Sequence, residues 1–258
     1  MWNEIILKPM INALLFIYQF FGAGPHTFGL AIILFTIIVR LITLPFTVKQ
    51  LRSTMAMQEL QQSKKWKKMQ EKFKNDRQKL AEEQMKLYQE TGYSPFSGCL
   101  PMLLQFPIII GLYQSITRTM AATPIELLNL SKLLYPGTSS ALIPVNSTFL
   151  YMNLGQPERL PLPFLPDIPL LGAGIPVLAI LVAISTWLQT KITTPTPSSD
   201  QQGAGMSQMM SIYMPLLLGW FAFSFASGLA VYFVISNLLG IVQGIAMQRL
   251  RERSPQRA

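Results

Sequence analysis

The chain has 258 residues, half of them hydrophobic and 13% charged, with a formal net charge of +9 and a mean hydropathy of +0.34. The charged share is about half that of an ordinary globular domain, which argues against a soluble fold and for a polytopic membrane protein. One cysteine, Cys99, and one histidine, His26, exclude an intrachain disulfide and leave no cysteine–histidine metal centre to build. No metal, cofactor or catalytic group is expected.

The start, MWNEIILKP, carries an acid before its only lysine, and no small-residue cleavage pattern follows; no secretory signal is read here. Residues 1–25 read as an outer-face amphipathic helix. Glu4, Lys8, Asn12 and Gln19 share one helical face, while Leu7, Met10, Ile11, Leu14, Leu15, Tyr18 and Phe21 recur at helical spacing elsewhere. That pattern fits a helix lying in the membrane interface. Gly22, Gly24 and Pro25 break it.

A bilayer core about 30 Å thick needs roughly 20 apolar residues in a helix. Five such runs occur, at about 27–48, 96–117, 169–190, 207–225 and 229–248. The corresponding segments are 26–48, 95–117, 168–190 and, as a tight pair turning at Ala226-Ser227-Gly228, 207–248. The predicted architecture is all-α, with five transmembrane helices, the N-terminal interfacial helix and a cytoplasmic helical hairpin.

That hairpin falls in residues 49–94. The stretch 50–90 is free of proline, rich in helix formers and divided at Lys74-Asn75-Asp76. Trp66, Met69 and Phe73 form an apolar seam before the break, and Ala81, Met85 and Tyr88 one after it. Residues 49–90 hold eleven Lys or Arg. Their basic face suits solvent, lipid headgroups or RNA, and charge alone does not separate these.

The segment 118–167 is a proline-rich outer-face loop, with Glu126 to Tyr135 able to form a short helix. The segment 191–206, KITTPTPSSDQQGAGM, is a flexible cytoplasmic loop, and 249–258 is a basic tail. The basic residues cluster in 49–90 and the tail. The charge rule therefore puts the N-terminus and 118–167 outside, and the C-terminus in the cytoplasm. Pro45, Pro107 and Pro215 fall inside spans and are expected to bend or loosen them.

Arg40 is the one formal charge in the first span. A central arginine costs about 2.5–3.5 kcal/mol on insertion scales. Snorkelling would have to bridge roughly 12 Å of helix rise to Val48. An ion pair lacks a partner, because none of the five spans contains Asp or Glu. A water-filled cavity is the third explanation. Thr36, Thr43, Gln105, Ser185, Thr186, Gln189, Ser236, Asn237 and Gln243 supply polar groups on four of the spans. Singly, each is ordinary helix-packing polarity.

The segments TIIVRLITLPFTVKQ, GCLPMLLQFPIIIGLY, LQTKIT, MSIYMPLLLGWFAF and SGLAVYFVISN together resemble the YidC/Oxa-type membrane protein insertases. They stand in that family's order, over most of residues 27–248. The resemblance implies a five-helix insertase core that inserts and helps fold newly made membrane proteins through a hydrophilic groove, without ATP hydrolysis. It matches Arg40 to the groove arginine, and Thr36 and Gln189 to groove residues. Gln105, Phe233, Ser236 and Asn237 complete the candidate groove. Many members carry Trp or Tyr where this chain has Phe233.

The resemblance further implies nascent membrane proteins and the lipid bilayer as partners, with the ribosome, targeting factors and a Sec translocon beside them, and no DNA. Lys64, Lys65, Lys67, Lys68, Arg249, Arg251 and Arg253 are the expected ribosome or targeting-factor contacts. The location implied is the bacterial plasma membrane. No GxxxxGK nucleotide loop appears. A small-solute transporter or channel with an anion-attracting arginine is the alternative.

Overall fold

The structure is a computed structural model that describes residues 1–73, 76–91, 100–121, 123–136, 138, 143–160, 174–193 and 203–252. The described residues form nine α-helices and one short β-hairpin. A π-helical turn at Asn3–Leu7 runs directly into α1 (Lys8–Phe20). Next come α2 (Thr27–Gln62), α3 (Lys64–Lys72) and α4 (Arg77–Glu90). They are followed by α5 (Leu100–Thr119) and α6 (Pro124–Ser131). Strands β1 (Thr148–Phe149) and β2 (Met152–Asn153) pair antiparallel. The chain closes with α7 (Val177–Thr193), α8 (Gly203–Ser224) and α9 (Ser227–Glu252).

Two of these helices, α2 and α9, are long and apolar enough to cross a membrane by length and composition. Helix α2 continues 14 residues past Val48, because VKQLRSTMAMQELQQ contains no breaker. It stops where Ser63 takes an extended conformation and its side chain accepts from the Trp66 N–H at 3.2 Å. Pro45, Pro107 and Pro215 lie inside uninterrupted helices. Helix α7 starts at Val177, later than the hydropathy run suggests. Ile175 is bridged in an antiparallel pair to Leu160, and the residue before Pro176 is biased away from helical backbone.

The N-terminal helix packs on protein. Leu7, Ile11, Leu14, Leu15, Ile17 and Tyr18 are all buried in the main core with Phe28, Ile32, Leu112 and Ile116. Asn12, read from periodicity as part of a polar face, is also buried. Its amide donates to the Lys8 and Leu133 carbonyls (2.7 and 2.9 Å) and accepts from the Tyr135 N–H and Thr138 hydroxyl (2.8 and 3.1 Å). Gly111 of α5 lies against Ile6 and Met10, and the Trp2 indole donates to Gln114 at 2.8 Å. The face that remains outward carries Ile5, Phe16 and Phe20.

The β-hairpin staples one end of this assembly. His26 donates its N–H to the Thr148 carbonyl, and its Nδ1 accepts from the Leu150 N–H at 3.0 Å. The Phe149 ring lies directly on Gly29, where any side chain would collide with it. Helix α9 would begin with unpaired N–H groups; the Gln156 and Leu154 carbonyls accept those of Ser227 and Gly228 (2.8 and 3.0 Å). The start of α7 is held by Glu158. This buried carboxylate accepts from the Leu178 N–H at 3.0 Å and from the Tyr151 hydroxyl at 2.7 Å, a favourable sign of charge at a helix N-terminus. Desolvation and that bond push the Tyr151 phenol up to about 12.

Helices α3 and α4 pair through Trp66, whose ring sits 5.5 Å from that of Tyr88. On α4 the buried seam is Leu80 and Leu87, whereas Met85 is exposed. The seam is therefore rotated from the one expected at Ala81, Met85 and Tyr88. Leucines offer more apolar surface than Ala81, and the Asp76 cap on Lys79 N–H (3.1 Å) sets the helix start. That bond holds the Asp76 carboxyl below its usual range. Likewise the Lys65 ammonium, 2.8 Å away, lowers Glu90.

Candidate functional site: a polar cluster between helices

Polar side chains on α2, α5, α7 and α9 face inward. Thr36, Ser115, Ser185, Thr186, Ser236 and Asn237 are buried. Large apolar side chains face outward instead: Leu41 is 62%, Ile42 72%, Trp220 62% and Val242 63% exposed.

At the centre of α2, Arg40 is half-buried. Its Nε donates to Ser236 Oγ on α9 at 2.9 Å, and its Nη2 donates to the same oxygen. The Tyr232 hydroxyl, one turn earlier on α9, accepts from Gln105 Nε2 on α5. Three helices thus meet through two contacts, Gln105 with Tyr232 and Arg40 with Ser236. Among the described residues no carboxylate pairs with Arg40.

A second set lies beside it. Asn237 Nδ2 donates to Ser185 Oγ at 3.0 Å and to Thr186 Oγ1 at 2.8 Å, tying α9 to α7. Gln189 lies against Gly240, one turn along α9 from Ser236. Of the other sequence-expected residues, Thr36 is fully buried and donates to the Ile32 carbonyl of its own helix at 2.6 Å. Phe233 is 5% exposed and packs in the core, 5.6 Å from the Tyr232 ring. Two concavities lie elsewhere: one of about 340 Å³ is lined by Ala13, Phe16, Ile17, Phe20, Leu34 and Ile38. The other, about 560 Å³, is lined by Asn3 and by residues in and just after α5 and α6. Neither is lined by Arg40.

Sequence reasoning did not single out Tyr232. Its signal is spacing, because Tyr232 and Ser236 stand i, i+4 on one helix face. Gly240 and Gly244, also four apart, mark the α7–α9 seam in the same way.

Lys64, Lys65, Lys67 and Lys68 are exposed on α3, and Arg249 is exposed on α9. The Arg251 side chain and the whole of Arg253 lie outside the described residues.

Hydroxyls, amides and a guanidinium turned inward, with apolar side chains turned outward, define an α-helical membrane protein. A sequence model of the 60Kd inner membrane protein family matches residues 16–254, and the chain belongs to that family. It is 34% identical over 242 residues to the membrane protein insertase YidC of Syntrophobacter fumaroxidans, covering 94% of this chain and 37% of that protein. It is 32% identical over 253 residues to membrane protein insertase YidC of Oceanobacillus iheyensis, covering 96% and 84%. Membrane protein insertase MisCA of Bacillus subtilis is 32% identical over 246 residues, covering 94% and 77%. None of these names supports a solute transporter.

Proposed function

We propose that this chain inserts newly made membrane proteins into the bilayer, with Arg40 as the transient landing site for an acidic or polar substrate segment. The observation that carries this reading is the neutral company of Arg40. It rests on a serine hydroxyl with no described carboxylate against it. A buried ion pair would neutralise the guanidinium; a hydroxyl leaves its charge available. In this reading Gln105 and Gln189 line the path beside Arg40, and the buried Thr36, Phe233, Ser236 and Asn237 form the wall behind it. The substrate's apolar segment then leaves for lipid, and burial of roughly 20 apolar residues drives the step.

The proposed topology has five spans, with the N-terminus and 118–167 outside. Residues 49–94, 191–206 and 249–258 lie in the cytoplasm of a bacterium, where α3 and α4 form a basic hairpin. Its lysines 64, 65, 67 and 68, with Arg249, Arg251 and Arg253, meet the ribosome or targeting factors, alone or beside a Sec translocon. Charge placement and family membership support this arrangement.

The test is complementation of cells depleted of their own insertase, scored by insertion of single-span substrates. Arg40→Ala should lower insertion of substrates with acidic translocated tails several-fold and spare neutral tails. Arg40→Lys should retain most activity. Unchanged insertion of both substrate kinds with Arg40→Ala overturns the role assigned to Arg40.

A further inference from the structure

The larger concavity plays no part in the proposed insertion path. Its volume, about 560 Å³, falls within the range of roughly 300–1,000 Å³ that ligand pockets occupy. Asn3, Arg118, Glu126, Asn129 and Lys132 give it a polar lining. Its walls are tied to one another. The Trp2 indole, next to Asn3, donates to Gln114 of α5 at 2.8 Å, and the Asn12 amide donates to the Leu133 carbonyl beside Lys132 at 2.9 Å.

Cations are scarce in this part of the chain. Residues 1–26 and 118–167 hold four: Lys8, Arg118, Lys132 and Arg159. Lys8 bonds Glu4 at 3.2 Å, and the Arg159 guanidinium lies 4.8 Å from the centre of the Phe223 ring. The other two, Arg118 and Lys132, come from separate elements and line the same cavity. Both are exposed, and neither is in an ion pair among the described residues. Glu126 is the one carboxylate of the lining. It closes the start of α6, accepting from the Thr123 N–H at 3.1 Å. Two cations against one carboxylate leave the cavity with an excess of one positive charge, which a single phosphodiester balances.

The surroundings are apolar. Ile125 and Leu128, beside Glu126 and Asn129 on α6, are exposed, and so is Ile5, two residues after Asn3. Inorganic phosphate would meet the cations and leave these side chains uncovered. An amphiphile with a phosphate head and hydrocarbon chains meets both kinds of surface.

We propose that this cavity binds one bilayer phospholipid, with Arg118 and Lys132 holding its phosphate and the acyl chains running over Ile125 and Leu128.

Native mass spectrometry of the full chain, released from maltoside micelles that contain no phosphate, tests this by counting bound lipid. The probes are dioleoyl phosphatidylglycerol, dioleoylglycerol with the same chains and no phosphate, and inorganic phosphate. The wild type is expected to carry one phosphatidylglycerol at concentrations about tenfold lower than Arg118→Gln/Lys132→Gln requires, the scale of one or two lost charge-assisted hydrogen bonds. Arg118→Lys/Lys132→Arg keeps both charges and should restore binding, which separates a lost ligand from a damaged fold. Lys79→Gln/Lys86→Gln removes two charges on α4 and should bind as the wild type does. Equal lipid retention by the wild type and Arg118→Gln/Lys132→Gln overturns the site. Equal retention of dioleoylglycerol overturns the role of the phosphate. Inorganic phosphate that displaces the lipid at equal concentration shows a free-anion site and overturns the lipid assignment.

Discussion

Asn12 shows how much one side chain can decide in this protein. Its amide makes four hydrogen bonds, two given and two received, and three of the partners lie on the segment from Leu133 to Thr138. Those bonds tie α1 to the chain beyond α6 in a buried site. Removing the amide leaves the Leu133 carbonyl and the Tyr135 N–H without partners, at about 1–3 kcal/mol for such an orphaned group. Asn12→Ala is therefore expected to lower the thermal midpoint of the detergent-purified protein clearly. Gln19→Ala, on an exposed site of the same helix, should leave it unchanged; equal midpoints for the two variants would remove Asn12 as a tie. The sequence could not single out Asn12. Helical periodicity sorts residues into faces, but it does not say that a second segment covers the polar one. Arg40 was legible for a simple reason: one charge in an apolar run has no bland place to go.

Among the elements, the α7–α9 pair is held by close backbone approach. A Cβ on Gly244 would come within 2.8 Å of Ile192 Cγ2 and 3.2 Å of Thr193 Cγ2, while Gly240 faces Gln189. Between α7 and α8, a Cβ on Gly219 would come within 3.2 Å of Ala183 Cβ. Small residues let helices pack where lipid provides no hydrophobic drive for association. Gly244→Ile should destabilise the protein by about 1–3 kcal/mol through overpacking, whereas Val242→Ile on the exposed face should not. The readout is residual folded fraction after heating in detergent, and matching curves for the two variants would count against the seam. Helices α2 and α9 were readable, because apolar runs of bilayer length are hard to hide. The ends were less so. The start of α7 depends on a bridge between Leu160 and Ile175, and such a long-range pair leaves no local trace.

At the scale of the whole molecule, the proposed topology makes a direct prediction. With Cys99 replaced by serine, the chain has no other cysteine. A cysteine introduced at exposed Gln156 should react with a membrane-impermeant maleimide added to intact cells. One introduced at exposed Lys68 should react only after permeabilisation. The reverse pattern would invert the topology.

The sequence by itself determined the membrane class, the apolar runs, the charge asymmetry and the isolated arginine, because each is a property of composition along a line. The tertiary structure decided which polar groups meet. Arg40 and Ser236 are 196 positions apart and Gln105 and Tyr232 are 127 apart, and only the packing of α2, α5 and α9 makes each pair a hydrogen bond. It also decided that Asn12 is enclosed and that Glu158 caps α7. Hydrogen bonds act over about 3 Å, so their pairing is a fact of folded geometry that no spacing along the chain contains.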